Sequence, residues 1–98
     1  MSANPQPIQD RSQIQWVSDH ARGRFFERAG HSRNLLTVWR EAEPVDYPSA
    51  QGRSYARYHP GYDLVLLARW GELLTVIELT DRPLQEQHHV REQLEDDL

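Results

Sequence analysis

The chain has 98 residues, no cysteine and a formal net charge of −4. That length fits one domain, burying roughly two-thirds of the surface its unfolded chain would expose, and the missing thiols exclude disulfides, thiolate metal sites and a cysteine nucleophile. The net acidity argues against a generic nucleic-acid binder, and no stretch has the apolar length of a membrane span or of a signal peptide, so no membrane partner and a cytoplasmic location are expected.

The charge is unevenly spread. All eleven basic residues are arginine. Residues 11–82 hold ten of them against nine acids, whereas residues 83–98 set Arg91 against Glu86, Glu92, Glu95, Asp96 and Asp97. The body of the domain therefore keeps its arginines for a patch, and the acidity collects at the C-terminus. A lysine-free, acid-rich chain suits a GC-rich genome or a salt-adapted cytoplasm.

Residues 1–10 are polar, with Pro5 and Pro7, and read as a flexible tail. The segment 13–18, with Ile14, Trp16 and Val17, reads as a short strand. Ser18 or Asp19 can then cap a helix that ends near Gly30. On it Ala21, Phe25 and Ala29 form an apolar stripe, and His20, Arg24 and Arg28 form a cationic stripe beside it. Each four-residue step rotates by only about 40°, so the three heads align along one edge, at the border of core and solvent. No acid cluster is evident opposite them.

A second helix is expected over 32–42, where Leu35, Val38, Trp39 and Ala42 recur at helical spacing, and Pro44 stops it. Residues 44–52 read as a loop or short edge strand. From Arg53 to His59 the pattern alternates, with Arg53, Tyr55, Arg57 and His59 on one face and Ser54, Ala56 and Tyr58 on the other, where Tyr58 is expected to face the core with Ala56. The first set reads either as a functional patch or as the solvated half of an edge strand, where arginine blocks aggregation. His59-Pro60-Gly61-Tyr62 is a turn. The apolar runs 63–70 and 72–79, joined at Gly71 in a tight hairpin, read as central strands buried on both faces.

Asp81-Arg82-Pro83 has the form of a helix start. The segment 83–98 reads as a docked helix, a partner-dependent helix or a partly disordered tail. The expected fold is α+β: β-α-α-β-β-β, an antiparallel sheet covered by two helices, with a C-terminal helix and one domain over 11–82. His88 and His89 point about 100° apart on a helix, with Glu92 the one carboxylate in step with them, so no metal and no cofactor are expected.

The run His20-Ala21-x-x-Arg24-x-x-x-Arg28 after a short strand resembles the opening of the small HAxxR-type domains related to BrnT, within the RelE-like superfamily of toxins. The aromatic strand Tyr55-Ala56-Arg57-Tyr58-His59 and the later Leu74-Thr75-Val76-Ile77 are similar as well, and the resemblance spans residues 14–79. It implies a toxin-type domain acting on RNA or the ribosome, a metal-free endoribonuclease held in check by an antitoxin protein. The chain departs from that pattern in having no lysine and an acidic C-terminus.

Metal-free RNA cleavage needs a base near the 2′-hydroxyl, an acid near the 5′-oxygen and cations for the charge of the phosphorane. His20 and His59 can move protons near neutral pH, and Arg24 and Arg57 can stabilise that charge. Arg28, Arg53 and Tyr55 complete an RNA-binding set, the tyrosine by stacking on bases. His20 reads equally as a structural residue near a helix start, and Arg24 and Arg28 as a solvated border. A non-catalytic protein-interaction module of the same fold is the competing expectation, with a homodimer open to either and no DNA-specific signal in the chain.

Overall fold

The computed structural model describes residues 14–47 and 55–95. Strand β1 (Trp16–Val17) is cut short by Ser18, which caps helix α1 (Asp19–Ala29) by accepting a hydrogen bond from the Ala21 amide at 3.0 Å. Asp19 in the first turn and Arg28 in the last complement the helix dipole. Gly30, at φ 81°, ends the helix in the left-handed geometry that glycine adopts without strain. Helix α2 (Leu35–Glu41) starts later than the Ser32 expected from sequence, because Asn34 is the cap, its side chain accepting from the Leu36 amide at 2.9 Å. Two extended residues, β2 (Glu43–Pro44), follow directly.

Strands β3 (Tyr55–His59), β4 (Leu64–Arg69) and β5 (Glu72–Glu78) form an antiparallel meander, and a 3-10 turn (Leu79–Asp81) leads into helix α3 (Leu84–Glu95). The five strands lie in the order β1-β5-β4-β3-β2. The expected α+β order holds, but the sheet is mixed, because β1 runs parallel to β5. Alternation reports which face a side chain takes and says nothing about strand direction. Nor is β3 an edge strand, since it pairs with β4 on one side and β2 on the other. Arg53 lies outside the described residues, so the alternation can be followed from Tyr55 onward.

Both faces of the sheet are covered. Leu64, Leu66 and Ala68 of β4 point into a core shared with Phe25 of α1 and with Leu35, Val38 and Trp39 of α2. Val65 points the other way, into a second core with Tyr47, Ala56, Tyr58, Leu79 and Val90 of α3. Strand β4 is thus the buried centre. Strand β5 is less enclosed than its apolar run suggested, because β1 covers only its first two residues.

Of the three readings open for the segment after Pro83, the docked helix is the one observed over Leu84–Glu95, residues 96–98 lying outside the described residues. Val90 is fully buried, the Arg91 guanidinium donates to Asp63 at 2.8 Å, and the Gln93 amide donates to the Asp46 carbonyl at 2.8 Å. Tyr58, facing this core as its alternation required, donates its hydroxyl to the same Asp63 carboxylate. Among the described residues no helix is long and apolar enough to cross a membrane.

Leu66 is fully buried, so Leu66→Ala is expected to lower stability by about 2–5 kcal/mol. Phe26→Ala, at a position 54% exposed, is expected to stay within about 0.5 kcal/mol. Denaturant unfolding of the two variants checks both.

Candidate functional site

The cationic stripe of α1 lies along the outer edge of β5. His20, Arg24 and Arg28 wall a groove of about 310 Å³, closed on the other side by Thr75, Val76 and Ile77 and at its far end by Glu78, Asp81 and Arg82. The groove exists because β1 stops early. Its pairing covers Glu72 and Leu73, and the Ser18 hydroxyl then donates to the Leu74 carbonyl at 2.9 Å. Beyond that point no strand among the described residues flanks the outer edge of β5.

The orientation of the free backbone follows from the ladder on the other side. The Leu79 amide donates to the Asp63 carbonyl at 3.1 Å, which makes Glu78 and Leu64 a pair without mutual hydrogen bonds. Alternation then turns the amide and carbonyl of Val76, like those of Glu78, away from β4 and toward the groove. The groove floor carries backbone donors and acceptors, and its helical wall carries cations.

Those cations differ in their engagement. Arg28 sits between Glu78 at 3.3 Å and Asp81 at 3.6 Å, so the stripe does face acids, contrary to the expectation from sequence. Both acids arrive from the end of β5 and the turn after it, fifty residues on in the chain, where helical spacing gives no warning. Arg24 makes a surface pair with Glu27 at 3.2 Å, of the kind that contributes little to stability. His20 is exposed at the opposite end from Arg28.

The strand patch meets a different fate. Tyr55, Arg57 and His59 do share a face, but it is the face under the helices. The Arg57 guanidinium lies 4.7 Å over the Trp39 ring and donates to the Trp39 carbonyl at 2.9 Å, and burial holds its pKa below the usual arginine value. Tyr55 packs against the helix-side core. His59 is only 8% exposed, with Nε2 2.8 Å from a Glu41 carboxylate oxygen. Its Nδ1 is buried with no hydrogen-bond partner, against Gly61, where an added Cβ would come within 2.9 Å of the imidazole Cε1.

Around His59 stand three residues that sequence reasoning missed. Glu41 is held by both terminal nitrogens of Arg33, each at 3.0 Å, and Arg33 also donates to the Tyr62 hydroxyl at 3.2 Å. Arg33 precedes α2, Glu41 ends it and Tyr62 lies in the turn before β4. No periodicity links them, and the His-Pro-Gly-Tyr turn was the single local sign. The buried Phe25 ring packs edge-on against Tyr62 at 5.1 Å, so α1 separates this cluster from the groove. The structure therefore brings His20, Arg24 and Arg28 together with Arg82, and leaves Arg57 and His59 in a different place. Among the described residues no group of three or more His, Asp or Glu side chains is placed to hold a metal; His89 instead reaches Asp46 at 3.1 Å.

A small α+β domain with a capped helix running along a half-open sheet edge is the class of protein that these features define. The family model described as "Putative RelE superfamily toxin domain" matches residues 17–80, from the end of β1 to the turn after β5, and the chain belongs to this family. No curated protein and no solved structure matches it.

The Glu41 carboxyl is pushed down to about 2, first by its hydrogen bonds to Arg33 and then by that to His59. A carboxylate stabilised in the folded state contributes stability that is present above its ordinary pKa and lost as the pH falls through the lowered one. Stability is therefore expected to decline between pH 4.5 and about 2, and Glu41→Gln is expected to flatten that part of the profile. Thermal unfolding across the acid range checks it.

Proposed function

We propose that this toxin-type domain acts on RNA through the groove between α1 and the free edge of β5. The observation that carries this reading is the juxtaposition of His20, Arg24, Arg28 and Arg82 with the outward-facing backbone at Val76. Guanidinium groups and backbone amides are the donors that hold phosphate oxygens, and they position a strand without reading its sequence. The exposed imidazole of His20 adds a group able to give or take a proton.

Cleavage by the 2′-hydroxyl is proton-neutral overall: the 2′-oxygen attacks phosphorus and loses a proton, while the departing 5′-oxygen gains one. His20 supplies or accepts one of those protons, and Arg24, one turn on along the same edge of α1, spreads the charge of the phosphorane, while Arg82, paired with Glu86 at the far end of the groove, is placed for a neighbouring phosphate. Glu78 and Asp81 restrain Arg28, which leaves the His20 end as the more open half of the groove for an anion. Arg57 and His59 support the scaffold in this reading, one under Trp39 and the other on Glu41. The His20-Ala21-x-x-Arg24 opening favours a BrnT-related subtype. An antitoxin protein would silence the domain by covering the same groove, with the cytoplasm, where RNA and ribosomes are at hand, as the setting.

A non-catalytic interaction module is the second reading. It is favoured by the inward turn of Arg57 and His59, which leaves His20 the one imidazole in the groove. The two readings part on RNA, in binding and in cleavage. With labelled single-stranded RNA and a chelator present, His20→Gln is expected to slow cleavage by about 10²- to 10⁴-fold while binding stays near wild type. Arg24→Ala is expected to weaken binding and lower the slope of log affinity against log salt by about 1. Salt-dependent binding without cleavage would leave RNA binding and remove the catalytic step, and a wild-type chain that binds no RNA would refute the RNA reading and favour the protein-interaction module.

A further inference from the structure

Two tryptophans stand in solvent at the end of the sheet where the cationic stripe begins. Trp70 is 74% exposed and Trp16 is 53% exposed, whereas Trp39, the third in the chain, is buried at 2%. Trp70 and Gly71 form the two-residue turn between β4 and β5, with φ values of 55° and 81°. Both central residues of such a turn need the left-handed region, which asparagine and glycine occupy readily and a bulky aromatic does not. Folding alone does not select this residue: the turn disfavours it, and the indole buries little surface in return.

What surrounds the indoles suits a nucleobase. The Arg69 guanidinium lies 4.9 Å over the Trp70 ring, a stacked cation beside an aromatic face. The Trp16 amide donates to the Gly71 carbonyl at 3.3 Å, so the backbones carrying the two indoles are neighbours. From Trp16 the chain passes through Val17 and the Ser18 cap into α1, and His20 and Arg24 follow within two turns. Asp19 and Glu72 lie at the same end, so the local charge is mixed, and the aromatic faces rather than net charge distinguish it.

We infer that Trp16 and Trp70 form a stacking platform for unpaired bases of single-stranded RNA, at the open end of the groove proposed above. The inference rests on the RNA reading and sharpens it, because an aromatic platform engages splayed bases and not a closed duplex. The backbone of the strand would leave the platform toward His20 and Arg24, whose charges suit its phosphates.

The test uses the full chain and a short single-stranded oligouridine, read by intrinsic tryptophan fluorescence, which the two exposed indoles dominate as reporters of stacking. Wild type is expected to be quenched by the oligouridine and far less by a duplex of similar length. Trp70→Asn places a favoured residue in the turn, so its thermal midpoint is expected to hold or rise while its affinity for the oligouridine falls. One lost base stack corresponds to a drop of roughly 5- to 150-fold. Trp16→Thr, on a strand, is expected to weaken binding similarly. If folded Trp70→Asn and Trp16→Thr bind the oligouridine as wild type does, the platform is overturned and the RNA reading stands. If wild type binds no RNA of either form, the RNA reading falls and the platform falls with it.

Discussion

Ser18 fixes the layout on which everything else depends. Its hydroxyl accepts from the Ala21 amide and donates to the Leu74 carbonyl, while its own amide donates to the Leu73 carbonyl at 3.0 Å. One residue thereby ends β1, starts α1 and clips both to β5. A helix launched from that point runs along β5 toward its C-terminal end, and the strand before it is too short to close the sheet edge. The groove follows from that clip: a cationic helix flank on one side and, on the other, β5 backbone that no strand among the described residues pairs.

The two-sided core accounts for the rest of the site's rigidity. Strand β4 is buried on both faces and β5 packs beside it, so the backbone under the groove is held by the hairpin and by α1 above. Helix α3 closes the second face through Val90 and through Arg91 on Asp63, the acid that also receives the Tyr58 hydroxyl. The Arg33–Glu41–His59 chain does the same work on the opposite flank of α1, tying the turn before β4 to the end of α2. His59 of β3 is part of this chain, and Arg57, on the same face of β3, donates to the Trp39 carbonyl.

Much of the fold was legible because it rests on local rules. The helix cap, at Ser18 of the two candidates, the Gly30 stop, the hairpin at Gly71 and the helix start at Asp81-Arg82-Pro83 stand where composition and spacing put them, although Trp70 belongs to the turn and not to the strand. The stripe of α1 was legible too, since 3.6-residue periodicity is strictly local. What the sequence could not show was partnership across distance. Alternation on β3 placed Tyr55, Arg57 and His59 together on one face, but nothing local says that this face lies under α2, with Trp39 and Glu41 above it. The acids opposite Arg28 and the parallel pairing of β1 are hidden for the same reason, and exposure of Trp16 and Trp70 emerges only once the core has been filled by others.

RNA is proposed to meet the domain along α1 and the outer edge of β5. Amide chemical shifts of the wild-type chain, followed by NMR as single-stranded RNA is added in a chelator, test it most directly. The largest changes are expected at His20, Arg24, Val76 and Arg82, with Glu41, Arg57 and His59 nearly unmoved. Changes centred on Glu41, Arg57 and His59, with the β5 edge silent, would contradict it.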